Sequence, residues 1–189
     1  MAEEHVSSHK KKARRVGGVV IFEDEASFQV DPTLHRTWSR RGEQPRIPTR
    51  GERKTAHVYG AIALNDASFT YEFADVFNGA TFLGFLKILV RRYPRQKVFL
   101  IIDNAPGHNL NQEGKEWLRN HRKRIELHRL PPYSPEFNPT EGVWKTTRRE
   151  ATHNKYFESP QDRDCSLIKT FRAFQRKPSL IEANVQRFR

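Results

Sequence analysis

The feature that most constrains the fold is an uninterrupted run of five apolar residues, Val98 to Ile102, between charged flanks. A strand made only of apolar residues has no face for water, so it belongs inside a sheet that helices cover on both sides. The run is far shorter than the roughly 20 apolar residues that cross a bilayer. The sequence therefore predicts an α/β fold with this strand in the interior of the sheet.

The remaining patterns predict a mixed α/β domain over residues 19–153 and a helical, basic C-terminal extension over residues 154–189. Apolar runs bounded by turn signals indicate strands, and apolar residues at three- and four-residue spacing indicate helices. In chain order we expect a strand from Val19 to Val30, a hairpin of Ala56–Leu64 and Ser68–Phe77, a helix from Gly79 to before Pro94, the apolar strand, a helix over Asn111–Asn120, a strand over Ile125–Leu130 and a helix from Asn138-Pro139.

The charge of the chain points to a polyanionic partner. Lys and Arg number 34 against 22 Asp and Glu, which gives a formal net charge of +12 and a pI near 10.1. Nucleic acid is the partner that this surplus favours, and an anionic membrane surface is the alternative. The single cysteine, Cys165, excludes an internal disulfide and a cysteine-based zinc site.

Two segments look irregular. Residues 1–18 are rich in Lys and Arg and carry no apolar stretch, so we expect a flexible basic arm and no signal peptide. Residues 31–55 are rich in Arg, Pro and Gly and poor in apolar residues. Such a long loop is uncommon in a compact domain unless it serves a function, so we expect a functional insertion or one that orders on binding.

Asp24 stands late in the first predicted strand, on the same face as Val20 and Phe22 by the two-residue repeat of a strand. Two interpretations stay open, a strand-end acid turned to solvent and a functional carboxylate. The neighbouring Glu23 and Glu25 project to the other face, and we expect both to be solvated.

Asp103 follows the apolar strand directly, and Asn104 and His108 come after it in a turn. Ligands of open α/β sheets bind at the carboxyl ends of central strands. We therefore interpret Asp103 as functional. His108 either orients a phosphate or a water molecule or is simply an exposed turn residue.

Glu141 lies where a helix begins. Asn138 suits the N-cap and Pro139 the first helical position, so Glu141 either completes a capping box or presents its carboxylate rigidly to the sheet. Lys145 and Arg148 follow on the same helical face. This basic row suits a phosphate backbone beside a metal site, and it equally suits an ordinary surface Glu–Lys pair.

Three carboxylates from two strands and a helix, in a basic chain, indicate metal-dependent phosphodiester chemistry. Mg²⁺ prefers oxygen ligands, and two ions about 4 Å apart activate an attacking hydroxyl and stabilise the leaving oxygen. The sequence contains no nucleotide-binding glycine loop, nucleophile elbow or histidine-rich zinc pattern. We predict two Mg²⁺ ions, with Mn²⁺ as a substitute.

Three segments closely resemble the DDE superfamily of transposases and integrases, in particular the bacterial insertion-sequence branch related to the mariner group. Thr37-Trp38 with Gly42 and Pro45 also resembles the loop after the first strand in that branch. The resemblance covers about Val19 to Arg149 in the family's order. Its segments are FEDEASF at 22–28, IIDNAPGH at 101–108 and SPEFNPTEGVW at 134–144.

The resemblance implies a ribonuclease H-like fold with Asp24, Asp103 and Glu141 as the metal-binding catalytic triad. The implied reaction is hydrolytic nicking at the ends of a DNA element, followed by attack of the freed 3′-hydroxyl on target DNA. It implies a homodimer and a bacterial cytoplasmic location near the nucleoid, and residues 31–55 resemble a loop that clamps a partner subunit or DNA. The resemblance also implies that some residues lie behind the metal ligands or face the DNA, namely Asn104, His108, Lys145 and Arg148.

Members of that family carry helix-turn-helix domains ahead of the catalytic domain, and about 18 residues stand there in this chain. We therefore expect largely non-specific, salt-sensitive DNA binding. Two alternatives stay open. One is a non-catalytic or assembly-dependent DNA-binding remnant of a transposase, and the other is a different ribonuclease H-like nuclease.

Overall fold

The computed structural model describes residues 2–49, 51–132 and 134–189, which form one mixed sheet and the helices around it. Short 3-10 turns cover Pro106–His108, Pro135–Phe137 and Pro178–Leu180, and a π-helical turn covers Arg148–Thr152. The main elements are α1 (Ala2–Arg15), β1 (Val19–Gln29), β2 (Thr55–Ala63), β3 (Phe69–Ala74), α2 (Gly79–Arg92), β4 (Val98–Ile102), α3 (Gln112–Asn120), β5 (Ile125–Arg129), α4 (Thr140–Thr147), α5 (Pro160–Arg176) and α6 (Ala183–Gln186).

The sheet has the strand order β3-β2-β1-β4-β5. β1 pairs antiparallel with β2 and parallel with β4, while β3 and β5 extend the two sides. All five residues of β4 are buried, as the apolar run predicts. The predicted hairpin and the predicted helix after Gly79 are confirmed, and the mixed sheet flanked by helices is the predicted fold class.

Alternate residues of the central strand serve two different cores. Val19 and Ile21 pack with the apolar face of α2, and Val20 and Phe22 pack with α4 and α5. Because both faces of β1 are covered, no residue in its first half points to bulk water. This arrangement decides the environment of every acidic residue that follows Phe22.

The N-terminal segment differs from its prediction, because residues Ala2–Arg15 form a helix and not a flexible arm. Ala13 is buried in the core, and Lys12 Nζ lies 2.5 Å from Glu126 Oε1 beside β5. Lys10 Nζ donates a hydrogen bond to the carbonyl of Phe188 at 2.6 Å. The basic residues looked solvated in the sequence because their partners lie more than a hundred residues away.

The C-terminal third is helical, as predicted, and it completes the core of the domain. Leu167, Phe171 and Phe174 of α5 are fully buried in the same cluster as Phe22 of β1. Residues 154–189 therefore belong to the packing of the sheet and do not extend away from it. No helix among the described residues has the length and apolar character of a membrane span.

The arginine-rich segment before β2 forms no helix or strand over its described residues, in agreement with the predicted loop. Its base is held by Asn154, whose side chain bonds both the amide and the carbonyl of His35 at 2.9 Å. Further along the loop Trp38 is almost completely exposed. The Arg163 guanidinium also donates to the carbonyl of Lys54 at 2.7 Å, so both ends of the loop are held while Trp38 is exposed.

Candidate functional site

The three carboxylates singled out in the sequence line one cavity. Asp24, Asp103 and Glu141 surround a space of about 400 Å³ at the carboxyl end of β4, beside the middle of β1. Asn104 and Asn138 complete its polar lining, and Pro131 and Pro132 form part of its apolar wall. The structure thus brings together residues that lie on two strands and a helix.

Asp24 is held in place by Trp144. The indole Nε1–H of Trp144 donates to Asp24 Oδ2 at 3.2 Å, and the indole itself is buried. Gly60 of β2 pairs with Asp24 in the register of the sheet. A Cβ atom on Gly60 would lie 2.3 Å from the Trp144 ring, so only glycine admits the indole there. The indole hydrogen bond fixes the orientation of the Asp24 carboxylate.

Asp103 stands at the end of β4 and is oriented from its own turn. Its Oδ1 accepts a hydrogen bond from the amide of Ala105 at 2.8 Å and lies 3.0 Å from His108 Nδ1. The side chain of Asn104 donates to the carbonyl of Leu130 at 2.8 Å, which ties the turn to the end of β5. The Asp103 carboxylate remains half exposed and faces the cavity.

Glu141 projects from the first turn of α4, which is fastened to β1. Asn138 accepts the Thr140 amide at 3.1 Å and donates to the carbonyl of Glu23 at 3.2 Å. The hydroxyl of Thr140 donates to the carbonyl of Phe22 at 3.3 Å. The Glu141 carboxylate is exposed and lines the cavity. The side chain of Asn138 therefore bonds the first turn of α4. Glu141 presents its carboxylate to the cavity from that turn, in agreement with the second interpretation.

The electrostatics of the cavity disfavour ionised Asp24. Burial, the nearby Glu23 and the carboxylates of Asp103 and Glu141 raise the pKa of Asp24 to about 7, against a smaller opposing effect of the Glu25 amide. The contact with His108 lowers the pKa of Asp103. The cavity therefore holds one carboxylate that is readily ionised beside one that a neighbouring cation would stabilise.

Behind the cavity lies a buried charge cluster that the sequence analysis missed. Glu23 is 0% exposed, although the sequence predicted a solvated residue, and its Oε2 lies 3.0 Å from His108 Nε2. Glu25 is half-buried, with Oε1 3.5 Å from the same nitrogen. The buried His108 touches these acids on one side and Asp103 on the other. The prediction of a solvated Glu23 and Glu25 is therefore wrong, since one is fully and the other partly buried. His108 is neither exposed nor DNA-facing and lies behind Asp103, the other placement that the resemblance implied.

The charge of this cluster balances through His108. Burial alone would lower the pKa of His108, but its contacts with Asp103 and Glu23 outweigh burial and raise the pKa to about 10. The ring nitrogens lie 3.0 Å from carboxylate oxygens of Glu23 and Asp103, so a protonated ring forms ion pairs with both acids. Burial also raises the pKa of Glu23, an effect that His108 opposes. A protonated His108 is therefore the cation that these acids share.

A signal for this burial was present in the sequence. Glu23 occupies the same face of β1 as Val19 and Ile21, and a strand beside the buried β4 is itself covered on both faces. Glycine at position 107 supports the cluster, because a Cβ there would lie 2.5 Å from Glu25 Oε1. A solvated Glu23 would require this face of β1 to meet water, whereas α2 covers it.

The two predicted basic residues of α4 and its extension have different surroundings. Lys145 is exposed and lies in a groove that Glu141 also lines. The Arg148 guanidinium lies 5.3 Å from the ring of Phe28, away from the carboxylate cavity. The structure therefore brings Lys145 near the site and does not bring Arg148 there.

The oxygen-rich cavity suits a hard divalent cation by the chemistry of its donors. Asp24, Asp103 and Glu141 offer only carboxylate oxygens, and Asn104 and Asn138 add amide groups. Over residues 2–49, 51–132 and 134–189, however, no three His, Cys, Asp or Glu side chains lie close enough together to form a ready metal site. The donors fit the ion in kind, and ligation would draw the three carboxylates together.

The chain matches a protein family and a curated relative. The family model described as DDE superfamily endonuclease matches residues 19–162. An uncharacterized 39 kDa protein of insertion element IS630 from Shigella sonnei is 29% identical over 136 residues. That match covers 71% of this chain and 39% of the relative. The chain thus spans well under half of the length of that relative.

Solved structures share the fold. The Mos1 strand transfer complex matches with a TM-score of 0.66 and 18% identity, over 98% of this chain and 56% of the Mos1 chain. The Mos1 mariner paired end complex with Mn gives a TM-score of 0.66 and 17% identity, over 98% of this chain and 57% of its own. The HTLV-2 integrase catalytic core with magnesium gives 0.52 and 10% identity, over 82% and 83%. These likenesses identify a ribonuclease H-like fold.

Proposed function

Because the chain belongs to the DDE superfamily of endonucleases, we propose that it is the catalytic domain of a transposase that cuts and joins DNA strands. Asp24, Asp103 and Glu141 are the proposed catalytic residues. They would hold two Mg²⁺ ions, for which Mn²⁺ substitutes, and such a pair activates the attacking hydroxyl and stabilises the leaving oxygen.

The observation that carries this proposal is the meeting of these three carboxylates at one cavity of about 400 Å³. Each comes from a different element, and specific contacts hold each of them in position. Trp144 fixes Asp24, the amide of Ala105 fixes Asp103, and Asn138 fastens the turn that carries Glu141. Clustered carboxylates repel one another, so bound divalent cations would stabilise their ionised forms and lower the raised pKa of Asp24.

DNA is the proposed substrate. The net charge of +12 supplies the attraction to a phosphate backbone, and the exposed arginine-rich loop adds to the basic surface of the domain. Mos1 is the subject of transpososome and strand transfer structures, which supports a DNA substrate for this chain also. A homodimer as the active form is part of the same proposal. A domain that acts on chromosomal DNA would work in the bacterial cytoplasm, at the nucleoid.

An assembly-dependent or non-catalytic remnant is a second candidate, together with another ribonuclease H-like nuclease. The observation that favours this candidate is that no three His, Cys, Asp or Glu side chains of the described residues lie close enough together to form a ready metal site. DNA binding would then persist while cleavage required further protein.

Nicking of supercoiled plasmid by the purified chain, with Mg²⁺ or Mn²⁺, tests the proposal. Glu141→Gln and Asp103→Asn should abolish nicking without loss of DNA binding. Glu116→Gln is the matched control, because Glu116 is an exposed helical glutamate on α3 outside the cavity. Wild-type nicking that both active-site variants retain would overturn the assigned site. Intact DNA binding with no nicking by the wild type would support the remnant.

A further inference from the structure

A second polar groove continues from the carboxylate cavity. It has a volume of about 580 Å³ and shares Asn138 and Glu141 with the cavity. One wall is α4, where Lys145 lies one turn after Glu141, and the opposite wall is the C-terminal segment around α6. Ala183, Asn184 and Arg187 supply that second wall.

The C-terminal wall is a fixed part of the domain. Ile181 and Val185 are fully buried in the main core, and the ring of Phe188 lies 5.8 Å from that of Phe22. Against α4 the approach is close, because a Cβ on Gly142 would lie 2.3 Å from Asn184 Oδ1. The groove therefore exists before any partner binds.

The groove carries two exposed cations, Lys145 and Arg187. Arg187 Nη2 donates to the carbonyl of Glu136 at 2.6 Å, and its guanidinium lies 4.5 Å from the ring of Phe188. These contacts hold the guanidinium at the groove with further donors available, since guanidinium has five N–H groups. The acids here are Glu136, whose side chain is exposed, and Glu141, which belongs to the carboxylate site.

We propose that this groove holds the DNA strand beside the phosphate that is cut, with Lys145 and Arg187 contacting backbone phosphates. The inference rests on the proposed function, since a strand cut at the cavity must continue out of it. Asn184 faces the strand as a neutral hydrogen-bonding partner. Residues 183–187 lie beyond the residues that the family model matches, 19–162, so the family match does not assign this wall.

The first test adds a negative charge to the groove without removing any contact. Ala183→Glu and Gln186→Glu change the same net charge on the same exposed short helix, but only Ala183 lines the groove. Binding of a fluorescein-labelled DNA duplex with a single-stranded end is measured by anisotropy, in EDTA. Ala183→Glu should weaken binding about tenfold, and Gln186→Glu less than about twofold. Equal effects of the two variants would overturn the proposal.

The second test removes a cation. Arg187→Gln is compared with Arg95→Gln, which removes an exposed arginine before β4, at the end of that strand opposite Asp103. Arg187→Gln should make the slope of log K against log salt shallower by about 0.7 to 0.9, the value of one phosphate contact. A slope for Arg187→Gln that equals the slope for Arg95→Gln would contradict the groove.

Thermal melting of all four variants establishes that each is folded before binding is measured. The binding experiments need no metal and no cleavage, so they are independent of catalysis. Matched variants that bind alike, with metal-dependent nicking intact, would reject the groove alone. A clear difference between matched variants, with no nicking under any condition, would reject the catalytic proposal and leave the strand site standing.

Discussion

Two acidic clusters lie on opposite faces of β1, one residue apart. On the α4 side, Asp24 faces a cavity with Asp103 and Glu141 and has a neutral indole as its hydrogen-bond partner. On the α2 side, Glu23 is buried against His108, whose contacts raise its own pKa to about 10. Of two consecutive acids on one strand, Glu23 thus has a protein cation beside it, while Asp24 has further carboxylates.

The difference shows what separates a structural acid from one suited to a metal ion. Glu23 has a protein cation within 3.0 Å, so its charge is compensated inside the fold. Asp24 has a pKa raised to about 7, first because it is buried and then because its charged neighbours are further carboxylates. Asp103 belongs to both regions, since its Oδ1 contacts His108 while its carboxylate lines the cavity. The buried cluster of Glu23 and His108 therefore helps to hold Asp103 in place at the cavity.

The largest expected effect is on cleavage. Asp24→Asn should reduce metal-dependent plasmid nicking by more than about 100-fold, since even partners outside the direct ligands cost 10- to 100-fold. The shape of the side chain is kept, so the Trp144 hydrogen bond has an acceptor available. The measurement is the initial nicking rate in Mg²⁺ and in Mn²⁺. A rate within threefold of wild type would remove Asp24 from the proposed site.

The buried pair should dominate stability. His108→Gln leaves the Glu23 carboxylate buried without its cation, which costs about 3 to 5 kcal/mol for a pair of this kind. Urea unfolding measures the loss. Adding Glu23→Gln to that variant removes the orphaned charge and should recover part of the stability. A double variant no more stable than His108→Gln alone would show that the ion pair is not what holds the cluster.

Ionisation of Asp24 should make the metal-free fold less stable as pH rises. Because the pKa of Asp24 is raised to about 7, its ionisation disfavours the metal-free fold, and this cost grows as pH rises from about 4 through 7. In EDTA, Asp24→Asn should therefore melt about 4 °C above wild type at pH 8. At pH 4 the two should melt alike, and an advantage of equal size at both pH values would contradict the assignment.

The smallest effect is expected at a glutamate that pairs with two lysines at the surface, in contrast to the buried pair of Glu23 and His108. Glu126 pairs with Lys12 at 2.5 Å and with Lys97 at 2.8 Å. Burial raises its pKa, but the two lysines outweigh burial and lower it to about 2. Glu126→Gln should cost about 0.5 to 1 kcal/mol, since surface pairs are screened by solvent.

This small loss should be fully present above about pH 4.5, the ordinary pKa of glutamate, and should fade as pH falls toward 2. Urea midpoints at pH 7 and pH 3 measure it. A loss at pH 7 as large as that of His108→Gln would erase the distinction between exposed and buried pairs.

Most of the secondary structure and the three carboxylates could be predicted from the sequence, because these features depend on short-range pattern. The apolar run before Asp103 defines β4, and the two-residue alternation of β1 assigns Asp24 to the face of Phe22. Burial of Glu23 and His108 could not be predicted with the same ease. Their pairing is a contact across the sheet end, between residues 85 positions apart, and nothing local distinguishes a paired acid from a solvated one.

By itself the sequence determined the order of the elements and the fold class, since periodicity acts over a few residues, and the resemblance of its motifs singled out Asp24, Asp103 and Glu141. Only the tertiary structure decided how those acids are held. Trp144 reaches Asp24 across 120 positions, and Asn138 reaches the carbonyl of Glu23 across 115. It also decided that α1 docks and that the C-terminal segment forms a wall beside Glu141. Such contacts depend on how distant surfaces pack together, which no local pattern encodes.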